Sequence, residues 1–313
     1  MRISVIVPTY RRTADLARCL QGLAAQQLPA DEILVIVRDS DDQTHSFFSA
    51  RAPQLGVRLV ETTVPGQVAA LNAGLSAASG EILAITDDDA VPRSDWLARI
   101  HKHFVEDDTL AGVGGLDIVH TPDGILEGNR TTVGQVQWFG RLIGNHHLAV
   151  HTQQFVDFLK GVNMAYRKAA VRGLEFDTFL RGKGAQVNNE LGFCLALRAR
   201  GLRLFYDCTV IVDHYPSVRF GIDKREGGEY EALENASFNM YWSLSQYMKL
   251  GVRRTLALWW AQWIGNEGRP GLLREFLAQF GSNRKRRNIA RAARSGRRQA
   301  TAFAVTKSAR AND

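Results

Sequence analysis

The stretch ILAITDDDAVP, Ile82 to Pro92, runs five residues suited to a buried strand straight into three aspartates, Asp87, Asp88 and Asp89. Carboxylates this close repel one another and raise each other's pKa. Either a positive partner offsets that repulsion or water solvates all three. Hard cations prefer carboxylate oxygens, and magnesium or manganese commonly shares its shell with a substrate phosphate. The competing reading is a solvated turn that caps a helix starting near Arg93, with Ser94 and Asp95 as rival caps.

Outward from the triplet, Ile3–Val7 is a β-rich run, Asp15–Gln26 has helical spacing and Ile33–Val37 is the next strand. An amphipathic stretch near Thr44–Ala50 leads to a strand at Val57–Val60, a helix at Gln67–Ala78 and a strand at Glu81–Thr86. Strands alternating with helices predict an α/β fold with a mixed, mainly parallel sheet flanked by helices. Ligands of such sheets bind outside the carboxyl ends of the strands. Those ends read PTYRR, RDSDD, ETTVPG and TDDDAVP, so one edge collects the polar chemistry. The first strand runs into PTYRR instead of GxGxxG, and no GxxxxGKS/T occurs, which argues against a dinucleotide fold and a P-loop.

From Leu110 to Lys160 the pattern loosens among many glycines, and order returns at VDFLKGVNMAYR, a strand leading into a turn. Val187–Arg200 has helical spacing and stops before Gly201. Leu202–Tyr206 and Thr209–Val212 read as two strands, with Asp213 and His214 closing the second. Beyond Pro216, Tyr230–Leu250 and Val252–Ile264 are helical and aromatic, giving a C-terminal helical extension.

The 313 residues, 45% hydrophobic and 23% charged, suit one large or two modest soluble domains. No apolar run approaches the roughly 18–20 residues of a membrane span. MRISVIVPTYRR is too short in its apolar part for a secretory signal, and a cytoplasmic location is expected. Cys19, Cys194 and Cys208 are widely spaced with no CxxC, so neither disulfides nor a zinc knuckle is indicated. Cys19 and Cys194 are expected to pack in the core. The net charge of +7 is concentrated: from Arg284 onward ten lysines and arginines face Asp313 alone, leaving −2 for residues 1–283. Such a tail suits an anionic membrane surface or a nucleic acid, a disordered solubilising tail being the commoner reading.

ISVIVPTYRR, DEILVIVRDSDDQT and ALNAGLSAASGEILAITDDDAVPRSDWL, in that order and spacing, resemble the nucleotide-binding half of an inverting family 2 glycosyltransferase of GT-A fold. LKGVNMAYR and NNELGFCLALRARGLRLFYDCTVIVDHY resemble its acceptor half. The resemblance implies a catalytic unit over 1–215, with a nucleotide-sugar-binding half (1–109) and an acceptor half (110–215). A helical, aromatic-rich extension (216–280) and a basic, flexible tail (281–313) follow. It implies a divalent metal, Mn2+ or Mg2+, held by Asp89 with His214, Asp213 orienting the ring or sharing the contact. That ion would be the positive partner of the triplet. Asp87 and Asp88 would lie toward a nucleotide-diphosphate sugar donor, with Pro8, Thr9, Tyr10, Arg12, Asp39 and Asn72 as further contacts.

Glu190 is the implied catalytic base, a carboxylate that deprotonates the acceptor hydroxyl, although Asn189 departs from the usual acidic pair. Gly161 and Asn163 match a loop lining the reaction centre, and Arg181 to Gly184 read either as a flexible lid whose Lys183 meets phosphate or as a mobile loop without function. His146, His147 and His151 form a polar acceptor wall rather than a zinc site. His101 and His103, two apart on a helix, point different ways. Trp259, Trp260 and Trp263 with Arg253 and Arg254 suit a membrane interface at the inner face, or packing against the catalytic unit or a second copy. The acceptor is unidentified, and a nucleic acid is the least favoured partner. Two rivals keep the pocket: a sugar nucleotidyltransferase, whose glycine- and lysine-rich loop PTYRR replaces poorly, and a degenerate binding module, for which Arg38 and Asn189 argue.

Overall fold

The computed structural model describes the chain except residues 139–140, 183, 218–228, 248–255, 257–258, 261–262, 267–268, 281–283 and 311–313. The apolar runs of the first third fold as β1 (Ile3–Pro8), α1 (Thr13–Ala24), β2 (Glu32–Arg38), α2 (Asp42–Leu55), β3 (Val57–Thr62), α3 (Gln67–Ala77) and β4 (Ile82–Ile85). There follow β5 (Ala90–Pro92), α4 (Trp96–Glu106), β6 (Leu110–Thr121), β7 (Gly124–Ile125), β8 (Gln135–Val136), β9 (Leu142–Ile143), β10 (Gln153–Val156), β11 (Met164–Arg167) and α5 (Lys168–Val171). The chain continues through α6 (Asn189–Ala199), β12 (Arg203–His214), α7 (Glu229–Tyr247), β13 (Gly265–Asn266), β14 (Arg269–Pro270), α8 (Leu272–Gln279) and α9 (Arg284–Arg310).

The main sheet runs in the order β10-β12-β6-β11-β4-β1-β2-β3. Its β4-β1-β2-β3 half is parallel, and β6 pairs parallel with β12; β11 lies antiparallel between β4 and β6. Side chains of β1 alternate across it, as a strand requires. Ile3, Val5 and Val7 pack with Leu16, Cys19 and Leu20 of α1 and Trp96 and Phe104 of α4. Ile6 packs on the other face, in the core that includes Leu71 of α3, Leu191 of α6 and Trp242 of α7. Cys19 and Cys194 are buried, as expected. The two strands read from the sequence at residues 202–212 are one, β12, with an irregular register between Asp207 and Ile211.

Two segments differ from expectation. The loosened stretch begins with β6, a 12-residue strand whose glycines disguise it. At Gly112 a Cβ would stand 2.8 Å from Leu204, and at Gly115 it would collide with the Val210 carbonyl, so these glycines let β12 lie close. Within the basic tail, Arg284–Arg310 form the helix α9. Ala290, Ala293, Arg297 and Ala300 form a buried stripe along it, and at Gly296 a Cβ would meet the backbone of α7. An alanine stripe buries against a neighbouring helix while Arg291, Arg294 and Arg298 stay outside.

Candidate active site

Each acid of the triplet is answered from a different element. Asp87 accepts from Gln67 Nε2, at the start of α3, at 3.1 Å. Asp88, buried, accepts from Thr9 Oγ1 at 2.8 Å and from Arg12 Nη1 at 2.9 Å. Asp89, 8% exposed, accepts from the Ser217 amide at 2.9 Å, faces His214 Nε2 at 3.4 Å and lies 3.6 Å from Arg12. Arg12 and His214 thus already oppose the repulsion, with no bound cation needed for it. Burial drives Asp88 up to about 7, Asp89 and Asp87 adding to the rise against Arg12 and Thr9. For Asp89 burial acts in the same direction, yet His214 and the Ser217 amide hold it below its ordinary value.

His214 closes β12 opposite Ala90 of β5. Beyond the ring stands an acid the sequence reading did not single out. Asp117 of β6 is fully buried, with Oδ2 3.7 Å from His214 Nδ1 and in an ion pair with Lys160. Burial disfavours the charged imidazole, but Asp117 and Asp89 on either side raise it to about 9. Asp213, expected to orient that ring, instead meets Arg93 at 3.0 Å and His120 at 2.9 Å. Successive strand residues face opposite sides, so Asp213 and His214 cannot share a target. The signal for Asp117 was a lone acid in GGLDIVH, since a charge inside an apolar strand needs a partner.

Glu190 stands half-buried in the first turn of α6, directly after Asn189. The Asn189 amide reaches Gln67 Oε1 at 3.4 Å and the carbonyls of Ala185 and Gln186 at 3.3 Å. Because Gln67 also donates to Asp87, one glutamine ties the triplet to the helix carrying Glu190. Gly66, just before it, has φ +107° and sits so close to Gln186 that a side chain would clash. Gln186 accepts from the Val68 amide at 3.0 Å and donates to the Leu180 carbonyl at 2.9 Å. No sequence signal marked either glutamine, because an uncharged amide between helices has no pattern of its own.

The expected lid is anchored instead. The Arg181 amide donates to Asn239 Oδ1 at 2.7 Å, and Asn239 of α7 donates to the Arg181 and Val187 carbonyls at 3.0 Å. The Gly184 carbonyl accepts from the Gln67 amide at 2.9 Å. Lys183, Arg253 and Arg254 lie outside the described residues.

The remaining candidates divide. Tyr10 is exposed at the sheet edge with the Arg11 guanidinium 5.0 Å from its ring, and Asp39 is exposed at the end of β2, 3.2 Å from Arg38. Pro8 and Thr9 are buried, Thr9 serving Asp88. Asp41, two residues beyond Asp39, is buried and caps α2 through Thr44. Asn72, expected beside the donor, spends both amide atoms on the Phe176 backbone at 2.9 and 2.8 Å. Asn163, expected at the acceptor, is 1% exposed, accepting from Trp96 Nε1 at 2.9 Å and donating to the Leu116 and Val210 carbonyls at 3.1 and 2.9 Å. A buried amide is satisfied internally, and this one locks α4 to β6 and β12. Gly161 has open space where a side chain would stand. His146 is buried against Phe158 and Tyr206 and donates to the Phe158 carbonyl at 3.1 Å, so it belongs to the core rather than to an acceptor wall.

Asp89 and His214 suit a divalent cation that displaces the ring's proton: a hard carboxylate oxygen and an imidazole nitrogen, close together and largely buried. Among the described residues no group of three or more His, Cys, Asp or Glu closes a site by itself.

Residues 4–173 match the family model described as glycosyl transferase family 2. The chain is 35% identical over 102 residues to glycosyltransferase AglE of Haloferax volcanii, covering 31% of this chain and 33% of that protein. It is 34% identical over 100 residues to a PGL/p-HBAD biosynthesis glycosyltransferase of Mycobacterium bovis, covering 31% and 39%. The matches span well under half the length of these relatives. Among solved structures, S. aureus TarS 1-349 in complex with UDP-GlcNAc superposes with a TM-score of 0.57 at 17% identity, over 84% of this chain and 72% of that one. The mannosyltransferase PcManGT from Pyrobaculum calidifontis, in complex with GDP-Man and Mn2+, gives 0.55 at 20% identity, over 98% and 86%. At these identities the structural likeness speaks for the fold, a GT-A-type sheet with flanking helices.

Proposed function

The chain belongs to glycosyl transferase family 2, and we propose that it is a metal-dependent, inverting glycosyltransferase moving a sugar from a nucleotide-diphosphate donor to an acceptor hydroxyl of a glycan, polysaccharide or glycolipid. The observation that carries this reading is the junction at the sheet edge, where Gln67 and Asn189 join the triplet to the helix of Glu190, with His214 against Asp89.

Asp89 and His214 would hold Mn2+ or Mg2+, which when bound supplies positive charge against the leaving diphosphate. Tyr10 and Asp39 offer exposed groups to a nucleoside at the sheet edge, and Asp88, fixed by Thr9 and Arg12, keeps the turn between Asp87 and Asp89 in shape. Glu190 takes the acceptor proton as the new bond forms. In one displacement the hydroxyl enters opposite the departing diphosphate, which inverts the anomeric centre. UDP- and GDP-sugars are the first donors to try, since fold neighbours are seen with UDP-GlcNAc and with GDP-Man.

Calorimetric titration with UDP, GDP, dTDP and CMP, each with and without Mn2+, tests the reading, with Asp89→Ala as control. One nucleotide should bind only with the ion and be lost in the variant. Glu190→Gln should keep that binding while its turnover with the matching sugar nucleotide falls by roughly 10²- to 10⁴-fold. If no nucleotide binds, or binding ignores both metal and Asp89, the donor-site reading fails.

A further inference from the structure

Exposed apolar surface gathers at the C-terminal end of this chain. Leu273, Phe276, Leu277 and Phe280, on α8 and just past it, are 49%, 56%, 62% and 76% exposed. Their spacing puts all four on one helical face, and the rings of Phe276 and Phe280 meet edge-on at 4.9 Å, so the stripe is continuous. Trp259 and Trp263 are also about half exposed. A soluble monomer seldom leaves such a patch to water without a partner.

The adjoining helix supplies charge. Arg291, Arg294 and Arg298 of α9 line, with Tyr230 of α7, a groove of about 620 Å³. Among the described residues no carboxylate pairs with any of these three. In the body of the protein, by contrast, Arg93, Arg99, Arg198 and Arg203 each face an aspartate. No helix among the described residues is long and apolar enough to cross a membrane.

We propose that α8 and α9 form a docking face for an anionic lipid bilayer, the phenylalanine stripe entering the headgroup boundary and the arginine groove taking lipid phosphates. Tryptophan, aromatic and basic side chains are what that boundary favours, and arginine binds phosphate through paired hydrogen bonds. Charge selects this occupant over two others. A nucleic acid would use the arginines but leave the apolar stripe in water. A second copy would bury the stripe but bring two strongly cationic C-terminal segments together. The proposal does not depend on the reading of the active site.

Co-sedimentation of the full chain with phosphatidylcholine vesicles, with and without phosphatidylglycerol, tests it at low and high salt. Binding should require phosphatidylglycerol and weaken as salt rises. The Arg291→Gln/Arg294→Gln/Arg298→Gln variant should bind about 100-fold more weakly, at roughly fivefold per arginine. The Phe276→Ser/Leu277→Ser/Phe280→Ser variant should also lose the vesicles, and both variants should keep the wild-type circular dichroism. Equal sedimentation with both vesicle types, none with either, or wild-type binding by both variants would overturn the proposal. So would a dimer that the serine variant dissociates without any vesicle binding, or duplex DNA bound in place of vesicles.

Discussion

At the carboxyl edge of the sheet charge is buried and answered; at Arg291, Arg294 and Arg298 of α9 it is exposed and meets no acid among the described residues. Asp88 meets Thr9 and Arg12, Asp89 meets His214 and the Ser217 amide, and Asp117 meets Lys160. Arg291, Arg294 and Arg298 meet no acid among the described residues. Paired, buried charges hold one geometry, which suits chemistry on a small substrate. Unpaired, exposed charges adapt to whatever carries the opposite sign, which suits a surface. Changes at the edge should therefore register as lost chemistry, and changes on α9 as lost location.

The largest effect belongs to Asp89→Ala. Turnover should fall on the order of 10³-fold or more, as for removal of a group that stabilises developing charge, and Mn2+-dependent nucleotide binding should disappear. Retained turnover would mean the edge is not organised around this carboxylate.

A pH effect comes next, from the buried ring behind the edge. Burial pushes His146 down to about 4, with Lys160 and His147 acting in the same direction and Asp117 against it. An unfolded histidine titrates near 6.5. Between these values the unfolded chain holds a proton that the folded ring refuses. The contribution of His146 to stability should be level above about pH 6.5 and fall toward pH 4 by on the order of 3 kcal/mol, read as the difference between the wild type and a His146→Gln variant. Urea titrations along that range measure the slope, and His146→Gln should flatten it. An unchanged slope in the variant assigns the acid sensitivity to another group.

Asp117→Asn sharpens the contrast at smaller scale. With its buried carboxylate neutralised, His214 loses the partner that steadies it, and Mn2+ affinity should drop by about 10- to 100-fold. Manganese electron spin resonance reads this without turnover, and Asp117→Glu should recover part of it. If affinity does not move, Asp117 serves only to neutralise Lys160. The smallest effect should be the triple arginine variant acting on a soluble acceptor, where kcat is expected to stay within about twofold because surface substitutions distant from a site act almost independently of it. A large loss there would mean that α9 reaches the chemistry.

What could be read in advance follows the same division. β1 to β4 and the triplet are local patterns, an apolar run ending in acids, and they needed no knowledge of what lay beside them. Gln67 and Gln186 matter only through residues far along the chain, and nothing in their immediate surroundings announces it; Asp117 shows locally only as a lone acid in GGLDIVH, which asks for a partner without naming it. Asn72 and Asn163 matched by type and position, but a motif does not say whether an amide points at a ligand or at a carbonyl. Here Phe176 and Trp96 claim them. β6 hid behind glycines that close packing with β12 demands, and α9 hid its alanine stripe beneath its charge.

The placement of β12 has one more consequence. Asp89 follows the fourth strand of the sheet in sequence, Asp117 lies on β6, and His214 arrives only with β12, the last strand of that sheet to be made. Pairings this distant in sequence form late, after the local helices and turns. A chain stalled before β12 inserts would carry the triplet yet lack the imidazole opposite it. A cation that needs both can bind only the finished sheet, and by mass action it favours that state over every partly folded one. If the proposed function holds, its metal site would act as a checkpoint on folding, closing only when the two halves of the chain have met.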